Sequence, residues 1–220
     1  MKQTNVTAII PAFNEEETIS QVVRTLLACP SISQVLVVSD GSTDRTALCA
    51  KDAGAVVYEL PRKGGKGEAL LYALRFTTSP VVAFFDADLR GLTPDHVTHL
   101  VQPVLDGSLV MSIALRDRGP LITRLNAYLP LIAGERVLLR HVIDQIPPTY
   151  LKGYMIEASL NYFCRSHRLA YGAMKLPGLR IRTKYEKVGF GRAVLQYIHM
   201  TYQVVKAMIL VRLAHWQGNF

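Results

Sequence analysis

The sequence predicts an α/β domain, a Rossmann-like and mostly parallel sheet flanked by helices, followed by a long amphipathic helix. Short apolar runs alternate with helical periodicity through roughly the first half of the chain, as in βαβ units. The run VVAFFD stays apolar without alternating, as a strand covered on both faces does. With 220 residues, half of them hydrophobic, the chain can bury one substantial core.

VTAIIP (6–11) is the first expected strand, and a helix is expected from about Glu15 to Ala28. Ile19, Val22, Val23, Leu26 and Leu27 share its apolar stripe, with three glutamates at its positive N-terminal end. QVLVVSD (34–40) is the second strand, and GSTDRTALCAKDAG a turn and a helix closed by Gly54. AVVYEL (55–60) is the third strand, GGKGEALLYALRFT a glycine-rich entry into a helix, and VVAFFD (81–86) the fourth strand. Beyond Leu92 the pattern predicts a helix from Pro94 to Leu105, a strand SLVMSIAL (108–115) and a basic loop RDRGPLITR. GERVLLRHVIDQI and GYMIEASLNYFCRSH read as two more helices, the second packed beneath the site. In 193–216, Leu195, Ile198, Tyr202, Val205, Ile209, Leu213 and Trp216 recur at helical steps. Lys206 interrupts that stretch, so a packed or interfacial helix is expected rather than a membrane span, resting on a membrane surface or on a second copy in a homodimer.

The net charge of +8 is unevenly spread. Residues 1–110 carry 9 Lys/Arg against 12 Asp/Glu, and residues 111–220 carry 16 against 5. The second half therefore faces something anionic, such as a phosphorylated substrate or an acidic membrane. Nucleic acid is disfavoured, because the chain has no zinc finger, RNP-type aromatic motif or recognition-helix signature. Cys29, Cys49 and Cys164 are odd in number and widely spaced, which speaks against a disulfide framework or zinc knuckle and for a reducing cytoplasm. The opening MKQTNVTAIIPAFNEEE does not read as a secretion signal.

In open α/β sheets ligands gather outside the carboxyl ends of the strands. Those ends are PAFNEE, SDGSTD, LPRKGGKGEA and DADL, all polar. Asp86 and Asp88 would share a face in a continuing strand, and their carboxylates suit magnesium or manganese completed by water and substrate phosphates. A capping aspartate followed by a turn is the plainer alternative. RKGGKGEAL sets Lys63 and Lys66 among three glycines ahead of a helix, where backbone N–H groups and an ammonium can meet a phosphate. It lacks the spacing of a Walker loop.

In this order and spacing, IIPAFNEEETI, VVSDGSTDRT, GGKGEALLYAL and VAFFDADL resemble the nucleotide-sugar-binding half of family 2 glycosyltransferases with the GT-A fold. The resemblance covers residues 6 to about 90. It implies a GT-A domain over 1–190, with a nucleotide-sugar-binding half (1–110), an acceptor half (111–190), and a helical appendage over 191–220. It further implies that Pro11, Ala12, Phe13 and Glu15 line a nucleoside pocket, with Asp40 near the base and Lys66 near the diphosphate. Asp86 would lie near the ribose or sugar, and Asp88 on the metal. KGEAL, LPLIAGERVLLR and GYMIEASLNYF are similar to glucosyl-3-phosphoglycerate synthases, which implies a phosphorylated glycerate as acceptor. There PGLRIR places Arg182 where those enzymes carry a metal-binding histidine. KGYMIE and RTKYEKVGFG also resemble transferases of the dolichyl-phosphate mannose synthase type, which implies a polyprenyl phosphate acceptor approached by LRDRG.

Sugar transfer from such a donor needs a stabilised leaving diphosphate and, for a neutral acceptor hydroxyl with inversion, a carboxylate base. Glu157 and Glu135 are the candidate bases; a salt bridge and a helix-starting acid are their plainer alternatives. Arg116, Arg118, Arg180, Arg182 and Lys184 are candidates for acceptor phosphate, or solvated surface charges. A nucleotidyltransferase is the rival of another class, but its G-x-G-x-R loop is expected where this chain has PAFNEEE. A non-catalytic nucleotide-sugar binder fits Arg182, whereas Asp86, Asp88 and Lys66 favour catalysis.

Overall fold

The computed structural model describes residues 5–116, 133–153 and 155–181, together with 206, 209–213 and 216 near the C-terminal end. Its elements run β1 (Val6–Ala12), α1 (Ile19–Leu27), β2 (Ile32–Asp40), α2 (Thr46–Asp52), β3 (Val56–Leu60) and α3 (Lys66–Leu74). They continue with β4 (Val81–Phe84), β5 (Leu89–Arg90), α4 (Pro94–Leu105), β6 (Met111–Arg116) and β7 (Arg136–Leu139). The last are α5 (Arg140–Asp144), a 3₁₀ turn (Pro148–Tyr150), α6 (Met155–Ser166), β8 (Tyr171–Leu176) and β9 (Arg180–Ile181).

Seven strands form one sheet in the order β3-β2-β1-β4-β7-β6-β8. β3, β2, β1 and β4 are mutually parallel, β7 is antiparallel to both its neighbours, and β6 and β8 are parallel. The period-2 alternation of strand side chains splits the core between the two faces. Val6, Ala8, Ile10, Val81, Ala83 and Phe85 pack with Val22, Val23 and Leu26 of α1 and Val97, Leu100 and Val101 of α4. Ile9, Leu36, Val82, Phe84, Met111 and Leu138 pack with Ala69, Leu70 and Ala73 of α3 and Ile156, Leu160 and Phe163 of α6. β4 is thus covered on both sides, as its unbroken apolar run predicted.

Three expectations need correction. The first helix starts at Ile19 and not at Glu15. The Glu15 and Glu16 amides are bound instead to Thr46 Oγ1 (2.8 Å) and Asp44 Oδ2 (3.2 Å), so this stretch is a loop stitched to the next one. The strand after α4 starts at Met111, because Ser108 and Leu109 bond back to Asp106 and the Pro103 carbonyl in a turn. GERVLLRHVIDQI is not one helix: Arg136–Leu139 form a strand and only Arg140–Asp144 turn helical. A four-residue apolar run carries no decisive period of its own. Here the open edges of β4 and β6 decide, since β7 completes the ladder between them.

The described part of the 193–216 stretch is helical, with Ile209, Leu213 and Trp216 exposed and Val211 buried. Among the described residues no helix is long and apolar enough to cross a membrane. All three cysteines are free thiols.

Candidate active site

The carboxyl ends of β1, β2 and β4 converge with the N-terminal end of α3. Two loops form one rim. The Asn14 amide donates to Ser42 Oγ (3.2 Å), the Thr43 amide to Asn14 Oδ1 (2.9 Å) and the Arg45 amide to Glu16 Oε2 (3.0 Å). Asn14 takes a left-handed backbone (φ 54°), which asparagine tolerates better than most residues. Burial works to raise the pKa of the Asp44 carboxyl, but hydrogen bonds from the Thr46 hydroxyl and amide and from the Glu16 amide outweigh it and hold it below its ordinary value.

The glycine-rich loop is held by Asp40, which is buried at the end of β2. Its two carboxylate oxygens accept from the Gly64 and Gly65 amides, both at 2.7 Å. That pins the start of α3 and aims Lys66. Across the rim, Lys63 Nζ stands 3.6 Å from the centre of the Phe13 ring, a cation–π contact.

Lys66 Nζ lies 2.7 Å from Asp86 Oδ1 and 3.2 Å from Glu157 Oε1. Burial alone would lower the ammonium's pKa. Asp86 first, then Glu157 and Glu135, outweigh it and raise the pKa, so Lys66 stays charged at any physiological pH. Glu157 is only 5% exposed, and its Oε2 has no hydrogen-bond partner among the described residues. Glu135 is fully buried at the start of β7.

Two close approaches hold this cluster. A Cβ on Gly134 would fall 2.5 Å from Lys66 Nζ and 2.6 Å from Asp86 Oδ2, so only glycine lets the β7 entry lie against the ion pair. A Cβ on Gly67 would fall 2.2 Å from the Leu151 carbonyl oxygen, so α3 touches the backbone that leads into α6.

Residues 7–169 match the family model described as glycosyl transferase family 2. The chain belongs to that family.

Among curated family 2 relatives, the chain is 33% identical over 190 residues to a glucosyl-3-phosphoglycerate synthase of Mycolicibacterium smegmatis, covering 70% of this chain and 62% of the relative. It is 31% identical over 186 residues to an undecaprenyl-phosphate 4-deoxy-4-formamido-L-arabinose transferase of Pectobacterium carotovorum, covering 73% of this chain and 57% of the relative. The chain therefore spans about three fifths of the length of these relatives. Among solved structures, glucosyl-3-phosphoglycerate synthase of Mycobacterium tuberculosis in complex with Mn²⁺, UDP-glucose and phosphoglyceric acid superposes with a TM-score of 0.78 at 27% identity, over 94% of this chain and 79% of that one. The expected GT-A fold is the observed one.

For a family 2 enzyme the donor set fits a hard divalent cation. Asp88 stands half-buried two residues past Asp86, whose Oδ1 is engaged by Lys66. Among the described residues no three His, Cys, Asp or Glu side chains gather into a metal-binding group. Such a set suits magnesium or manganese, which take one or two protein carboxylates and draw remaining ligands from phosphates and water.

The structure brings Pro11, Ala12, Phe13, Glu15, Asp40, Lys66, Asp86 and Asp88 to one end of the sheet and adds Glu135 and Glu157 from the second half. Arg180 is exposed on β9, which pairs with β5 directly after Asp88. Arg116 closes β6. Arg118, Arg182 and Lys184 lie outside the described residues. Sequence reasoning missed Asn14 and Asp44 as the stitches between the first two loops, and Gly134 and Arg136 beside the ion pair. Its one available signal for the last two was AGER, charged residues entering an apolar run.

Proposed function

We propose that this protein moves a sugar from a nucleotide-diphosphate donor, UDP-glucose in the first instance, to a phosphorylated glycerate-type acceptor. The observation that carries this reading is the Lys66 ammonium held between Asp86 and Glu157 at the carboxyl end of β4, floored by Gly134. The relatives that act on phosphoglycerate, and the solved relative holding UDP-glucose and phosphoglyceric acid, supply the substrate class. The surplus of basic residues after position 110 supports an anionic acceptor.

In this reading the stitched loops at Pro11–Glu15 and Ser42–Thr46 receive the nucleoside, and Asp40 presents the Gly64–Gly65 turn. Lys66 and Asp88 face the diphosphate, Lys66 as a fixed positive charge and Asp88 as the ligand of a divalent cation. When bound, that cation neutralises the leaving diphosphate. Asp86, oriented by Lys66, faces the ribose or sugar. Glu157 Oε2 is buried and has no hydrogen-bond partner among the described residues, so it can accept a hydrogen bond from a reacting or sugar hydroxyl. That makes it a better base than Glu135, which is fully buried. Arg180, exposed beside β5, borders the acceptor side in this reading, and Arg116, Arg118 and Arg182 are candidates for it from the sequence alone.

A polyprenyl phosphate acceptor is the second reading. It is favoured by the undecaprenyl-phosphate relative and by the exposed Ile209, Leu213 and Trp216, which suit a membrane surface or a second copy of the chain. Three free cysteines agree with a reducing, cytoplasmic site of action. Incubation of the protein with labelled UDP-glucose, manganese and either 3-phosphoglycerate or undecaprenyl phosphate tests both. Label passing to phosphoglycerate supports the first reading. Label passing only to the lipid, with sedimentation on anionic liposomes, replaces it with the second, and transfer to neither overturns both.

A further inference from the structure

Arg136 is a buried charge that the reading above leaves without a task. It sits on β7, 1% exposed, on the sheet face covered by α3 and α6. Its cross-strand partners there are Phe84 and Ile113. Nη2 donates to the Ala133 carbonyl oxygen at 2.7 Å, and Nη1 to Asn161 Oδ1 at 3.4 Å with Met111 Sδ at 3.8 Å. Nε has no hydrogen-bond partner among the described residues. A buried guanidinium with one donor unsatisfied is weak evidence for stability, because an apolar side chain of similar length is often as stable or more so in such a place.

What the fork holds is more informative than what it costs. Ala133 precedes Gly134, the residue against which Lys66 and Asp86 rest. Asn161 lies on α6 one turn beyond Glu157, on the same side of the helix. One planar group thus spans the backbone under one end of the ion-pair cluster and the helix that carries its other end. Lysine has no such fork. The charges facing it are Glu157, Glu135 and Asp86, with Cys164 beside it as a neutral thiol whose pKa burial pushes up to about 11.

We propose that Arg136 is a positioning residue, whose guanidinium ties the Ala133–Gly134 turn to α6 and so fixes Glu157 relative to the Lys66–Asp86 pair. The inference rests on the transferase reading and adds to it a specific residue that touches neither donor nor acceptor. Because the nucleoside loops belong to β1 and β2, on the far side of β4, loss of the fork disturbs the reacting end of the site and not nucleotide binding.

The test separates those two ends. Arg136→Met should fold, bind UDP with manganese within about twofold of the wild type, and lose about 10²-fold in kcat, the scale of an ångström-level misplacement. Arg136→Lys should recover only part of that loss, since it restores charge without the fork. Asn161→Leu should lose less than Arg136→Met, and the double variant should lose no more than Arg136→Met alone, because the two act through one link. If Arg136→Met fails to fold, Arg136→Lys and Asn161→Leu carry the test, and both should lower kcat while leaving UDP affinity within twofold. Unchanged kcat in the folded variants overturns the inference, as does a kcat that falls only in proportion to UDP binding or folded fraction. A wild-type protein that transfers no sugar removes the underlying reading and the inference with it. A wild type that transfers while Arg136→Met matches it overturns the inference alone.

Discussion

Polar side chains are buried at both ends of the central strands, and the two ends are built differently. At the amino end, Thr7 Oγ1 on β1 meets Thr77 Oγ1 at 2.8 Å and Ser79 Oγ at 2.7 Å, and the Ser79 amide donates to Thr77 Oγ1 at 3.1 Å. That cluster is neutral. At the carboxyl end, Lys66, Asp86, Glu135, Arg136 and Glu157 gather two cations and three carboxylates, with Glu157 Oε2 and Arg136 Nε left without hydrogen-bond partners among the described residues. Neutral hydroxyls that satisfy one another stabilise a fold, whereas buried charges with open valences serve it poorly and suit a ligand. β4 therefore has a structural end and, in the proposed reading, a reactive end.

The largest expected effect comes from breaking the reactive end. Lys66→Met should lower transfer by about 10²- to 10³-fold, the usual consequence of deleting one fixed charge at a reacting centre. It should also destabilise the protein, because it takes the paired cation from the nearly buried Glu157. Melting curves and steady-state rates measured together check both halves. Glu157→Gln sharpens the contrast, since it removes the open carboxylate and leaves Lys66 with Asp86. Transfer should fall by about 10²-fold while the melting temperature stays nearly level. A parallel loss of stability would place Glu157 with the structural residues.

Gly134→Ala should raise the donor KM and lower kcat together, because its methyl group must push Lys66 from Asp86. Thr7→Val is the mirror experiment. It should cost about 1–3 kcal/mol, because the Ser79 hydroxyl loses its partner and the Thr77 hydroxyl keeps only the Ser79 amide, and leave kcat unchanged. A Thr7→Val protein with altered kcat would erase the distinction between the two ends.

The smallest effect is set by pH. The Asp44 pKa is lowered in the folded chain, so its contribution is present at neutral pH and is lost as the pH falls through that depressed value. Protection of the Glu16 and Thr46 amides against hydrogen exchange, taken relative to the intrinsic rate at each pH, should fall on acidification below the ordinary aspartate range. Asp44→Asn should remove that pH dependence.

The first half of the chain is legible because its polar groups lie where strands stop. IIPAFNEE, VVSDGSTD and VAFFDADL each show an apolar run ending in polar residues, and sheet topology alone then brings those ends together. The second half is less so. RVLL reads as helix in isolation because its strand character comes from β4 and β6 on either side. YGAMKL and the short β5–β9 pair rest likewise on partners distant in sequence. The Lys66–Glu157 contact and the role of Gly134 depend on approaches between segments far apart in the chain. Local periodicity carries no record of them.

The most direct test of the reactive end is calorimetric titration of UDP into the wild-type protein and into Asp88→Ala, with and without manganese. Binding by the wild type should strengthen with manganese, and that strengthening should be lost in Asp88→Ala. Failure of the wild type to bind UDP, or equal manganese dependence in Asp88→Ala, would rule out a donor site with Asp88 on its metal.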